Sequence, residues 1–159
     1  MIAAVQLAID PTMRNLCRAP YPGHKSGCPN WNKKPECPPM ARPIGELIDL
    51  DKTVFAVWNC FDLGRHIRKL QEKHPHWSER QLYCCLYWQG TARKQLKKLI
   101  IGALVDLLAE NPDRQLCTLK CPEACDVNVT KTMLDVGVEL EWPLRKYAYQ
   151  VAIIGHKKG

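Results

Sequence analysis

Apolar positions along the chain change their period several times, and each change marks an element. The opening run Met1–Ile9 (MIAAVQLAI) is apolar almost throughout and reads as a strand, ended by Asp10-Pro11-Thr12. From Asn15 to Pro43 neither a helical nor a strand period survives seven prolines, and the segment reads as a long loop. TVFAVWN, residues 53–59, has the length and the β-branched and aromatic content of a buried strand. Asp62 then stands as the N-cap of a helix over DLGRHIRKLQEKHP, closed by Pro75. Ser78 and Glu79 open a helical stretch that runs to Asn111-Pro112. In its second half Leu96, Leu99, Ile100, Ala103, Leu104, Leu107 and Leu108 form one stripe, with Arg93, Lys94, Lys97 and Lys98 on the other face. Gly90 leaves open whether this is one helix or two.

QLCTL (115–119) reads as a short strand, and Asp126 as the cap of a helix through Val136 that stops at Gly137. VELEW (138–142) and KYAYQVAII (146–154) read as two closing strands, antiparallel about the turn at Trp142-Pro143. Strands interleave with helices, which predicts an α/β fold, or an α+β one, with a small central sheet flanked by helices. One domain is expected over residues 1–159. Its parts are a cysteine loop at 15–43, a basic helical segment at 62–110, and a C-terminal cysteine motif with strands at 115–155.

Composition narrows the class. With 46% hydrophobic residues in 159, the chain is rich enough in apolar side chains to fold. No apolar run reaches the length of about 18 residues that a membrane span needs. The first residues lack the basic region of a secretory signal, so a soluble, cytoplasmic protein is expected. No Gly-x-Gly-x-x-Gly, P-loop, His-Glu-x-x-His or Ser/His/Asp constellation occurs, and the carboxylates are too scattered to name an acid–base pair. Enzymatic activity is therefore left open.

The chemistry lies in nine cysteines. In a reducing compartment clustered cysteines bind metal or do redox work more often than they form disulfides, and an odd number cannot all pair. Cys17, Cys28 and Cys37 fall in a stretch too polar and proline-rich to order itself by apolar burial, so metal–thiolate bonds are the expected anchor. Their separations, ten and eight intervening residues, exceed the tight knuckles of zinc fingers. A cluster spreads its ligands over several irons, so wide spacing suits iron–sulfur. Zinc, or no metal at all, stays open on spacing alone. Cys117, Cys121 and Cys125 are candidates for a fourth ligand, and His24 for a non-cysteine one. Cys60, Cys84 and Cys85 read as small core fillers.

GCPN (27–30), CPP (37–39) and the later CPEACDVNVTKTMLDVGVELEW (121–142) together resemble a widespread family of predicted metal-binding proteins. That family joins an N-terminal cysteine loop ending in Cys-Pro-Pro to a Glu-Ala-Cys-Gly-(Ile/Val)-(Asp/Asn)-Val element. The resemblance implies an iron–sulfur cluster, with Cys17, Cys28 and Cys37 as ligands and Cys125, Val127, Asn128 and Val129 in the second element. Asp126 stands where the family has glycine, and the family's longer cysteine array is reduced here to Cys117 and Cys121, so one cluster is implied rather than two. Held by three cysteines, a [4Fe–4S] cluster would keep one iron open to a small ligand or to sulfur. The alternatives are a fully ligated cluster in an electron-transfer or redox-sensing protein, and a Zn²⁺-stabilised nucleic-acid-binding module.

Charge adds a second feature. The chain carries +7, and residues 62–98 hold nine Lys/Arg against three Asp/Glu, while the rest is nearly neutral. Arg65, Arg68, Lys69, Arg93, Lys94, Lys97 and Lys98, interleaved with Trp77, Tyr83, Tyr87 and Trp88, are the candidate nucleic-acid contacts, for tRNA or a single strand. A redox partner protein is the partner expected of an electron-transfer role.

Overall fold

The computed structural model describes residues 1–20 and 24–159; positions 21–23 of the predicted cysteine loop lie outside the described residues. Four strands form one sheet: β1 (Ile2–Val5), β2 (Val54–Asp62), β3 (Leu116–Leu119) and β4 (Tyr147–His156), in the order β1-β2-β4-β3. Every neighbouring pair is antiparallel, with Ala3 opposite Ala56, Trp58 opposite Val151 and Thr118 opposite Ile154. β2 and β3 consequently run the same way, and the helical crossover between them leaves a gap that the last strand fills. Of the two expected classes the chain adopts α+β.

The sheet is covered on both faces, which is why β2 and β4 read as nearly unbroken apolar runs. On one face Val54, Ala56, Trp58, Val151 and Ile153 pack with Ile44, Ile48, Cys125, Val127, Val129 and Met133. These come from α1 (Ile44–Leu47), from a turn at 122–125, and from a short helix at 129–134. On the other face Val57, Ala152 and Ile154 meet Leu96, Ile100, Ala103 and Leu107. That core continues at one end through Phe61, Leu63, Ile67, Leu82, Trp88, Ala92 and Ala148.

Local chemistry sets the helix ends. The Asp62 carboxylate accepts the Arg65 N–H at 2.8 Å and caps α2 (Leu63–Lys73), which stops at His74 before Pro75. Ser78 and Gln81 form a capping box that starts α3 (Glu79–Leu82). Of the one or two helices left open after Ser78 there are two, and the break falls at 83–88, before Gly90, with α4 (Gln89–Glu110) beginning afresh. The break falls in Tyr-Cys-Cys-Leu-Tyr-Trp, all but one of them weak helix formers, and it lets Trp88 stack on Phe61 in the core. Gly90 sits harmlessly in the first turn of α4, where amides have no helical partner anyway. The outer face of α4 is less polar than the periodicity predicts. Ile101 and Val105 lie in solvent, and Leu99 and Leu108 at the margins of the buried stripe are 37% and 38% exposed.

Two expectations near the C-terminus are corrected. α5 (Val129–Leu134) is capped by Asn128, which accepts the Lys131 N–H at 3.0 Å; Asp126 has another task. VELEW forms no strand, because β2 and β3 already occupy both edges of β4. Glu141 instead accepts N–H groups of Lys146 and Tyr147 at 2.8 and 3.0 Å, holding the turn into β4. Among the described residues no helix is long and apolar enough to cross a membrane.

One buried polar side chain ties α4 to the sheet. Asn59, 4% exposed, donates to the Ala92 carbonyl at 2.8 Å and accepts the Gln150 N–H at 3.0 Å. Asn59→Ala is expected to destabilise the fold by about 2 kcal/mol or more, since it strands the Gln150 N–H without that acceptor. Urea unfolding of the variant checks this.

Candidate metal centre

The first cysteine is presented by a 3-10 helix, Pro11–Arg18, which begins at Asp10, whose carboxylate accepts the Thr12 N–H at 3.0 Å. Asn15–Arg18, expected to be loop, therefore belong to a helical turn, and Cys17 sits in its last residues. The chain returns across it at Gly27. Cys28 N–H donates to the Cys17 carbonyl at 2.7 Å, and Gly27 has φ +79°. A Cβ at Gly27 would stand 2.6 Å from the Cys17 oxygen. No side chain fits there, so glycine is what lets the two cysteines approach.

Successive turns then place the third. Trp31 N–H donates to the Cys28 carbonyl at 3.1 Å, Cys37 N–H to Lys34 at 2.9 Å, and Ala41 N–H to Cys37 at 3.0 Å. From 24 to 43 only Gly27, Pro38 and Ala41 are buried. As the composition predicts, the loop contributes little apolar surface of its own to a core. Gly27→Ala combines a clash with the backbone and an unfavourable φ. It is expected to cost about 1–3 kcal/mol and to part Cys28 from Cys17, read as a lower unfolding midpoint.

A fourth cysteine is brought up from the far end of the sequence. The 3-10 helix at 11–18 packs against a second one, Pro122–Cys125, preceded by Cys121. The Arg14 guanidinium makes a two-point ion pair with the Asp126 carboxylate, and the Asp10 N–H donates to the Asp126 carbonyl at 2.6 Å. Asn128 N–H to Ala8 at 2.7 Å and Ala8 N–H to Thr132 Oγ1 at 3.0 Å extend the seam. Asp126 has φ +73°, the left-handed conformation that glycine adopts freely and Asp tolerates. The residue that departs from the family pattern thus keeps the glycine conformation and uses its carboxylate to anchor Arg14.

The fourth-ligand candidates separate clearly. Cys125 is 6% exposed within the core, and burial pushes its thiol up to about 11. Cys117 is half-buried on β3 against the same core. Cys121 reaches solvent yet stands in a crowded hollow. Burial raises its thiol, followed by Glu123 and Cys37, with Arg93 of α4 opposing and Cys28 adding. Cys17 is raised by burial, then by Cys28, Cys37, Glu123 and Cys121; Cys37 by burial and then by Cys28. Cys17 thus stands in the field of Cys28, Cys37 and Cys121, and Cys121 in that of Cys37 and Cys28. Burial also raises the Glu123 carboxyl beside them. Among the described residues no three His, Cys, Asp or Glu side chains stand at the distances of one ion's ligands.

Burial and neighbouring thiols favour the protonated form of Cys17, Cys37 and Cys121; a positive centre would displace those protons and turn the repulsion into attraction. His24, half-buried, opens the turn in which its carbonyl accepts the Gly27 N–H at 3.2 Å. Cys85 packs against the Leu82 and Trp88 core as expected, and Cys84 is half-buried. Cys60 is not a core filler: it is exposed at the end of β2 opposite Tyr149.

The basic residues divide from their aromatics. Arg65, Arg68 and Lys69 on α2 and Arg93, Lys94, Lys97 and Lys98 on α4 are all exposed. The ion pairs among the described residues are Arg14–Asp126, Lys52–Asp49 and Arg114–Glu110, so none of these seven meets a carboxylate. Trp88 is core, and Trp77 and Tyr83 are half-buried against it, leaving Tyr87 at the surface.

Sequence reasoning missed the Arg14–Asp126 pair and Glu123. The only signal for the first was an acid standing in a glycine position. Comparison with known protein-family models, curated proteins and solved structures finds no match for this chain, so the case for a function rests on the arrangement of its own residues.

Proposed function

We propose that the chain binds an iron–sulfur cluster through Cys17, Cys28, Cys37 and Cys121, as an electron-transfer or redox-sensing protein. The observation that carries this reading is the field shared by three loop thiols and one thiol from the distant Cys121 turn. A cluster places each thiolate on a different iron and asks for less convergence than one tetrahedral ion. A fourth cysteine closes the coordination, which favours a redox or structural role over Lewis-acid chemistry at an open iron. When bound, the cluster supplies a one-electron couple. The exposed rim at Cys121 sets that couple at the protein surface, within reach of a redox partner, and Arg93 offsets part of the negative charge of the thiolates.

Serine scanning tests the ligand set. In anaerobic preparations Cys17→Ser, Cys28→Ser, Cys37→Ser and Cys121→Ser are each expected to lose most of the iron, the sulfide and the broad visible absorption. Cys84→Ser and Cys117→Ser are expected to keep them. Full retention in Cys121→Ser would instead point to three ligands and an open iron, while zinc in place of iron and sulfide would move the reading to a zinc module.

A further inference from the structure

We infer that the surface running along α2, from the turn at 141–146 to the start of α4, binds single-stranded nucleic acid by phosphate contact and base stacking. This surface is separate from the cysteines and does not depend on them.

Its cations are uncompensated by design of the local hydrogen bonds. Arg65, Arg68, Lys69 and Lys73 line the exposed side of α2, and the structure adds Arg145 and Lys146 from the neighbouring turn. The Gly64 N–H donates to the Lys146 carbonyl at 2.9 Å. A Cβ built at Gly64 would lie within 3.7 Å of both the Lys146 backbone and the Arg68 guanidinium. Like charges are therefore gathered at the N-terminal end of α2. Of the three carboxylates nearest in sequence, Asp62 caps α2 and Glu141 accepts the N–H groups of Arg145, Lys146 and Tyr147, while Glu72, exposed on α2 itself, is in none of the ion pairs found among the described residues. Clustered cations without carboxylate partners favour a polyanion.

Flat faces at both ends of the helix select the kind of polyanion. At the C-terminal end the His74 and Trp77 rings stack at 4.1 Å and 7°, and Tyr87 continues the ladder 5.0 Å from Trp77. Tyr87 is 49% exposed and leaves a ring open to a further stack. At the other end Trp142, 68% exposed, projects from the turn held by Glu141. The helix between them is about 16 Å long, roughly five nucleotides at a stacked rise of ~3.4 Å. Cations between aromatic faces are the arrangement that recognises a strand whose bases are free to stack; a duplex hides them.

The test is fluorescence anisotropy of the full chain with a labelled oligouridine of about 12 nucleotides, at low salt and again at rising salt. Wild type is expected to bind with a steep salt dependence and with quenched tryptophan emission. Tyr87→Ala and Trp142→Ala are each expected to weaken binding about tenfold without changing the salt slope. Arg68→Gln with Lys146→Gln should flatten that slope. Trp142 stands on an exposed turn, so its variant is read even if Tyr87→Ala disturbs the Trp77 ladder. No binding at low salt would overturn the inference. So would affinity unchanged in Trp142→Ala with heparin competing as well as RNA, the behaviour of a patch that reads charge alone.

Discussion

Arg14→Ala is expected to destabilise the protein by about 3–5 kcal/mol, which at this chain length lowers the melting temperature by roughly 10 °C. The reason is the asymmetry of the pair. The Asp126 side chain is 8% exposed and Arg14 is 22% exposed. Removing the arginine leaves a carboxylate in the seam with nothing to replace the guanidinium. Removing the carboxylate leaves an arginine that can turn its longer side chain toward water. Asp126→Gly also suits the left-handed backbone at φ +73° better than any other substitution. It is therefore expected to cost clearly less than Arg14→Ala. Chemical denaturation of the two variants side by side checks the order; equal losses would mean that the seam is held by its backbone hydrogen bonds and not by the ion pair.

The second large effect is expected, on the proposed reading, from removing the cluster. Residues 24–43 bury only Gly27, Pro38 and Ala41, and their hydrogen bonds are short-range turns except where they cross Cys17. Such a segment sits at the low end of local stability unless something else ties it down. Lys25 and Lys33 are exposed along it and offer trypsin two sites, since the Lys34–Pro35 bond resists the enzyme. The loaded protein is expected to resist cleavage there. Chelation or oxidative loss of the metal should speed that cleavage about tenfold or more, because metal–thiolate binding is then no longer available to order the loop. Cleavage at Lys97 and Lys98, within a helix packed on the sheet, should change little. Equal rates at Lys25 and Lys33 with and without metal would mean that the turns order the loop by themselves.

The two features differ in how far pattern alone reaches. β2 and β4 were readable because both faces of the sheet are covered, so their apolar runs are unbroken. The α2 and α3 starts were readable from Asp62 and Ser78, whose capping chemistry is local. VELEW was misread because its alternation is real while β4, the strand it was expected to pair with, already has β2 and β3 on its two sides; strand pairing is a non-local fact. The break at 83–88 follows from Trp88 seeking the core, which the periodicity of the leucines further on conceals. For the metal centre, the three loop cysteines announce themselves by their surroundings. The choice of Cys121 over Cys117 and Cys125 depends on the packing of two short 3-10 helices far apart in the chain, and on the apolar pocket that claims Cys125. Asp126 illustrates the same limit. Its acid was visible as a departure from a glycine pattern, but its partner, Arg14, became apparent only once the chain ends were brought together.

The most direct test of the metal centre is the iron and acid-labile sulfide content of the wild-type protein purified without oxygen. The account predicts about four of each per chain, as in a [4Fe–4S] centre. Protein that contains neither, yet protects residues 24–43 from trypsin as well as it protects α4, would contradict it.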